Sequence, residues 1–300
     1  MTYTGRVLKS PHRARKAVSQ AGGECTRYFP ATVTIPTEML RIVDKPLIQY
    51  AVEDVYDAGI GEMIFVNVRH KRAIEDHFDT AFELQVALGN ANKNALLQLV
   101  PDIKPSDVTC FYVRKPRPLG LGHAVLFAEP LIGHDPFAVL LATDLMVADP
   151  SIMRQLVEAY TNIQSSVIAA QNAPPLQTNR CGMVDVLGLT DTLVPQEGLV
   201  EKPDPSVAPS TLAVAGRYVL SGRVFKHIGQ KRRCAGGEIQ LTDGIASMLS
   251  EEPVYALRYQ GRRYDCGTQA GLLKATVDLA LARSDVGATF RQYLKNSVVL

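Results

Sequence analysis

Apolar positions along the chain follow two different periods. Residues 137–142 (Phe-Ala-Val-Leu-Leu-Ala) are continuously apolar, and 166–170 are similar. Short unbroken runs of this kind predict strands covered on both faces. Residues 63–68 follow the Gly59-Ile-Gly61 break and are rich in strand-forming side chains. Residues 108–114 and 254–259 give weaker strand signals, and a short run over 16–20 leads into a pair of glycines. Between these runs the period changes to that of a helix. In 47–58, Leu47, Ile48, Ala51, Val52, Val55 and Tyr56 share one helical face, and Gly59 supplies the stop. Residues 82–99, 151–160, 241–249 and 269–282 read as further helices, with Ser151 as an N-cap.

Strands alternating with helices predict an α/β fold with a mainly parallel sheet and helices on both faces, a three-layer Rossmann-like arrangement. Sheets of this kind bind ligands at the carboxyl ends of their strands. No internal repeat or low-complexity segment interrupts the pattern. The proline-containing stretches 173–175 and 203–209 read as loops rather than domain linkers.

Composition narrows the picture only slightly. A chain of 300 residues allows one large domain or two small ones and needs no staple to fold. A net charge of +2 does not point to nucleic acid or to a membrane surface, and no apolar run approaches the ~20 residues of a membrane span. Cys25, Cys110, Cys181, Cys234 and Cys266 are scattered without a CxxC pair. That spacing suits neither zinc nor a disulfide framework and predicts reduced thiols in a cytoplasm. Residues 1–15 carry Arg6, Lys9, Arg13 and Arg15 without an apolar stretch, so they read as a basic, flexible tail and not as a secretory signal.

Two segments suggest chemistry. In Ala21-Gly-Gly-Glu-Cys-Thr-Arg27, a strand runs into a glycine turn that can offer backbone N–H groups to phosphate. Arg27 would add a bidentate donor, although two adjacent glycines also make a plain turn. Ile35-Pro-Thr-Glu-Met-Leu40, followed by Val43-Asp-Lys-Pro-Leu-Ile-Gln-Tyr50, gives a loop and a helix start with Pro46 near the first turn.

These segments begin an ordered series of motifs. It continues with His77-Phe-Asp-Thr80, Phe82-Glu-Leu84, Gly120-Leu-Gly-His-Ala-Val125 and Val200-Glu-Lys-Pro203. It ends with Gly216-Arg-Tyr-Val-Leu220, Glu238-Ile-Gln-Leu-Thr-Asp243 and Tyr264-Asp-Cys-Gly267. From about residue 16 to the C-terminal helix, the chain resembles the bacterial UTP–glucose-1-phosphate uridylyltransferases. The resemblance implies their nucleotide-diphospho-sugar transferase fold, a single nucleotidyltransferase domain over 16–300, and a homo-oligomer with the helices of 269–297 at an interface. It implies UTP and glucose-1-phosphate as substrates, UDP-glucose and pyrophosphate as products, and Mg²⁺ as cofactor.

Residue by residue, the resemblance assigns nucleotide binding to Ala21, Gly22, Gly23, Thr26, Lys115 and Gly120. It assigns sugar binding to Gly182, Glu201, Lys202 and Gly216, and catalytic charge stabilisation to Arg27 and Lys202. Asp265 and Asp144 are the candidate metal ligands. His123 reads as a structural residue at a helix start. The chain also departs from the pattern. Glu24 and Cys25 interrupt the glycine turn, and Ser19 and Gln20 replace apolar positions. Val33 and Thr37 stand where lysines are expected, Lys115 where a glutamine reads uracil, and Thr143 where an aspartate binds metal. On a regular strand Asp144 would face away from the site, unless a bulge or an early strand end turned it inward. Two readings stay open: an active enzyme with a rebuilt triphosphate side, or a catalytically impaired paralog that binds sugar phosphate or sugar nucleotide and modulates an active homologue.

Overall fold

The computed structural model describes residues 12–21, 26–69, 71–99, 103–186, 188, 191–231 and 237–297. Gly22, Gly23, Glu24, Cys25 and Cys234 lie outside the described residues, as do residues 1–11.

One nine-stranded sheet runs in the order β5-β4-β1-β6-β11-β8-β12-β10-β9. Its first half is parallel: β5 (Thr109–Arg114), β4 (Glu62–Asn67), β1 (Lys16–Ala21) and β6 (Phe137–Leu140). Its second half comprises β11 (Leu212–Leu220), β8 (Ser166–Asn172), β12 (Val254–Arg258), β10 (Leu193–Glu201) and β9 (Gly182–Val186). Among the described strands of this sheet, β11 and β10 run against the common direction. Two ribbons flank the sheet: β2 (Arg41–Ile42) with β3 (Lys45–Pro46), and β7 (Asp144–Val147) with β13 (Arg262–Asp265).

Helices cover both faces because their apolar stripes match the sheet's. One core joins α1 (Leu47–Asp57), α2 (Arg72–Phe78) and α6 (Ile152–Ile163) to the sheet through Ile48, Val52, Phe65, Ile74 and Leu156. The other joins α5 (Gly120–Ile132), α7 (Val224–Gly229) and α8 (Leu241–Met248) through Val125, Phe137, Phe225 and Ile245. Ser151 caps α6 as expected, its Oγ accepting from the Arg154 N–H at 3.2 Å. No described helix is long and apolar enough to cross a membrane.

Three expectations change. The helix expected over 82–99 breaks into α3 (Phe82–Asn90) and α4 (Asn94–Leu99), because Asn92 adopts a left-handed φ of +54° between them. Residues 12–15, expected within a flexible tail, are held against the fold. Arg13 donates to the Ala58 carbonyl at the end of α1 at 2.8 Å, and Ala14 is buried in the first core, so residues 12–15 are docked. The central run 137–142 forms strand only to Leu140; the Leu141 N–H still donates to the Gly216 carbonyl at 3.0 Å, and the chain then turns, the Asp144 N–H donating back to the Leu141 carbonyl at 3.1 Å.

The interior holds two cations on opposite terms. Arg217 interrupts an otherwise apolar β11 and is 1% exposed. Its Nε donates to Asp54 of α1 at 2.6 Å, and its Nη1 to the carbonyls of Leu141 and Gly216 at 3.0 Å each. Asp54 also accepts from the Met153 N–H of α6 at 3.0 Å. Lys115, just past β5, is 3% exposed, and its Nζ has no hydrogen-bond partner among the described residues. Burial pulls its pKa down to about 8, against the weaker attraction of Glu238 and Glu38.

The two cations respond oppositely to substitution. Asp54→Ala strands a buried guanidinium and costs about 3–5 kcal/mol of stability in denaturant unfolding. Lys115→Met removes an unpaired buried ammonium and stabilises the protein at neutral pH by about 1–3 kcal/mol. The unfolded lysine holds its proton up to its ordinary pKa of 10.5, whereas the folded one releases it near 8. The unfolded state therefore binds more protons in that window, and wild-type stability rises with pH across it. The variant's advantage should shrink from pH 8 to pH 10.5; an advantage constant with pH would rule out burial of the charge as its source.

Candidate active site

A cavity of about 830 Å³ opens over the carboxyl ends of β1 and β6. Gln20 at the end of β1, and Leu141 and Thr143 past β6, form its floor. The amino ends of α5 and α8 supply Gly120, Leu121, Leu241 and Thr242. Gly120 holds φ at +92°, and a Cβ there would stand 2.8 Å from the Ile239 carbonyl oxygen. Only glycine lets α5 start so close to that backbone. His123 packs edge-on against Phe127 within α5, in keeping with a structural role.

One side of the cavity gathers Gly182, Glu201, Lys202 and Gly216 as the resemblance implies. Glu201 ends β10, and its carboxylate accepts from Thr242 Oγ1 at 2.9 Å and meets Lys202 Nζ at 3.1 Å. Lys202 takes a left-handed φ of +46° while its N–H donates to the Cys181 carbonyl at 3.1 Å. That strained backbone turns consecutive charged side chains into the same cavity, where an extended strand would send them to opposite faces. Nearby, burial and then the Glu201 charge hold the Asp243 carboxyl above its ordinary pKa.

The same cavity is lined by Thr26, Arg27, Thr37, Thr143, Asp144 and Asp265. The early end of β6 turns Asp144 to the cavity, the alternative to the outward facing of a regular strand. Its carboxylate, however, is committed. Oδ2 accepts from the Gly216 N–H at 2.7 Å, and Oδ1 from Arg263 Nε at 2.5 Å. A Cβ on Gly216 would reach that oxygen at 2.8 Å, so glycine is required for the approach. Burial opposes the charge of Arg263, yet Asp144 holds the guanidinium above its ordinary pKa. Asp265 Oδ1 accepts from the Gly267 N–H at 3.1 Å, and Oδ2 lies 3.6 Å from Arg180 Nη2. Arg27 donates to the Gly267 carbonyl at 2.9 Å.

These residues do not fit a Mg²⁺ ion held by two protein carboxylates. Thr143 offers a neutral hydroxyl, Asp144 is spent on a guanidinium and an amide, and Asp265 remains as a single carboxylate beside a cation. Asp144 in this arrangement meets a guanidinium and an amide rather than an open metal position. No cluster of three or more His, Cys, Asp or Glu suited to a metal occurs among the described residues.

Two other assignments fall outside the wall. Ala21 is fully buried at the end of β1, and Lys115 is sealed beneath the surface near Glu38 and Glu238, which do line the cavity. Glu38 is itself paired with Lys71 at 2.9 Å. Arg180, Arg263 and Thr242 were not assigned from the sequence. Arg263 had a legible signal, because it stands two residues before Asp265 and so shares its face of β13. Thr242 lies inside the Glu238-Ile-Gln-Leu-Thr-Asp243 motif, whereas nothing local marks Arg180.

Residues 16–281 match the family described as nucleotidyl transferase. A UTP–glucose-1-phosphate uridylyltransferase of Staphylococcus epidermidis is 41% identical over 283 residues, 94% of this chain and 98% of that protein. The UTP–glucose-1-phosphate uridylyltransferase YngB of Bacillus subtilis is 41% identical over 286 residues, 95% of this chain and 96% of its own. Among solved structures, UTP-bound UGPase from Acinetobacter baumannii superposes with a TM-score of 0.89 at 36% identity, covering 95% of this chain and 100% of that one. A UDP-glucose pyrophosphorylase complexed with UDP-glucose gives 0.82 at 37% identity, covering 90% and 100%. With the family match, the identity to these relatives and the fold in agreement, the chain belongs to the nucleotidyl transferase family and, within it, to the UTP–glucose-1-phosphate uridylyltransferases.

Proposed function

We propose that this protein forms UDP-glucose and pyrophosphate from UTP and glucose-1-phosphate. The observation that carries this reading is the union, in one cavity, of the Glu201–Lys202–Thr242 corner with Arg27. Glu201 accepts from sugar hydroxyls and Lys202 holds the sugar phosphate. Arg27 is exposed and has one donor on Gly267, so the rest of its planar fork faces the nucleotide phosphates. A sugar-phosphate oxygen attacks the α-phosphorus in line; that O–P bond forms as the bond to the bridging oxygen breaks, and pyrophosphate leaves with the electron pair. No covalent enzyme intermediate is needed, so the chain's contribution is positioning and charge stabilisation. The relatives' names and the cavity's size support the substrate class.

The same reading places the protein in the cytoplasm as one nucleotidyltransferase unit over 16–300. It makes the protein a homo-oligomer through α9 (Gln269–Ala282) and α10 (Gly287–Ser297), where Leu273 and Tyr293 are exposed. Cys110, Cys181 and Cys266 are free thiols, in keeping with that compartment.

A specific observation favours a second reading, an impaired paralog that binds sugar phosphate or sugar nucleotide and modulates an active homologue. Thr37 and Thr143 line the cavity as neutral hydroxyls, and Asp144 is already neutralised. Losing one electrostatic group of the transition state costs ~10²–10³ in rate.

Purified protein incubated with UTP, glucose-1-phosphate and Mg²⁺ should yield UDP-glucose. No product above the no-enzyme control, with sugar-phosphate binding intact by calorimetry, would replace the first reading by the second. The Thr37→Lys, Thr143→Asp double replacement should then raise turnover by about 10²-fold. Lys202→Ala should weaken glucose-1-phosphate binding about 10–100-fold through loss of a charge-assisted hydrogen bond. Unchanged calorimetric affinity would remove Lys202 from the phosphate site.

A further inference from the structure

The two aspartates proposed for the triphosphate side, Asp144 and Asp265, each already face an arginine of the chain. Mg²⁺ demands oxygen ligands in near-octahedral geometry at short distance. The Asp144 oxygens are occupied by the Gly216 N–H and by Arg263, whose side chain is 16% exposed. Arg263 therefore puts a fixed positive charge where a cation would have to sit. Asp265 differs, because its contact with Arg180 at 3.6 Å is an ion pair longer than a hydrogen bond, and the Arg180 side chain is half exposed. A guanidinium carries five donors in a planar fork. Arg180 can therefore keep one edge on Asp265 and offer another to a phosphate. Arg27 stands next to it across Gly267, and Lys202, also half exposed, faces the same space.

We propose that the diphosphate of a nucleotide sugar is held in this cavity by Arg27, Arg180 and Lys202, with Arg180 bridging Asp265 to the phosphates, and that this hold requires no divalent cation. The proposal rests on the reading of the protein as one that binds nucleotide sugars. It explains how the diphosphate is gripped although Thr143 and Asp144 supply no open carboxylate.

The test titrates UDP-glucose calorimetrically into the full chain, once with Mg²⁺ and once with EDTA. Dissociation constants should agree within about twofold, and Arg180→Ala should weaken binding in EDTA by about tenfold or more, with Arg180→Lys recovering part of it. Binding that disappears in EDTA and returns with Mg²⁺ overturns the proposal while leaving the functional reading intact. Wild-type affinity in Arg180→Ala also overturns it. No binding in either buffer overturns the functional reading, and the proposal with it. Mn²⁺ alone serves as a second probe by water-proton relaxation. Thr143→Asp should bind it more tightly than the wild type, and an equally tight wild type contradicts the donor set described above.

Discussion

The buried ion pair between Arg217 and Asp54 is the constraint on which the site wall depends. A guanidinium in the middle of a sheet is tolerated only when its charge and its donors are all answered. Asp54 answers the charge from α1 and, through the Met153 N–H, ties α1 to α6. The carbonyls of Leu141 and Gly216 take the remaining contacts. Those carbonyls belong to the turn that ends β6 and to the irregular stretch of β11. The pair that locks the layers together therefore also sets the backbone on which Asp144 and Gly216 meet.

From that backbone the chemistry of the cavity follows. At one corner, a left-handed Lys202 and a β10 terminus bring two consecutive charges to the wall, and Thr242 donates to the carboxylate. Elsewhere in the lining, arginines stand beside the acids, Arg263 on Asp144 and Arg180 near Asp265, while Arg27 donates to the Gly267 carbonyl. The result is a cavity with its own internal cations. Lys115 shows the contrast, since it is a cation buried without a partner, and its burial depresses its pKa where the paired Arg263 is raised. Pairing, and not burial alone, decides which charges the fold keeps at little cost.

Several structural outcomes were readable in advance because their causes are local. Ser151 and Gly59 punctuate helices through their own side chain or backbone freedom, and both do so here. The stripe on α1 and the unbroken run of β6 reflect immediate neighbours. Residues 12–15 dock because Ala58 offers a carbonyl 45 positions away from Arg13, which no local pattern registers. The helix over 82–99 breaks for a local reason, the left-handed Asn92 and its turn hydrogen bonds, which apolar periodicity alone does not register.

What the sequence by itself determined was the alternation of strand and helix, the order of family motifs and so the family, and the grouping of Glu201, Lys202 and Gly182, which line one cavity. These rest on periodicity and on contiguous motifs, which are properties of short stretches. Only the tertiary structure decided which charges meet. It gave Asp144 to Arg263, set Arg180 beside Asp265, sealed Lys115 away from the cavity, and left Thr143 as a hydroxyl on its floor. Electrostatic pairing is set by distances between segments more than a hundred residues apart in some of these cases, and no local pattern encodes such distances.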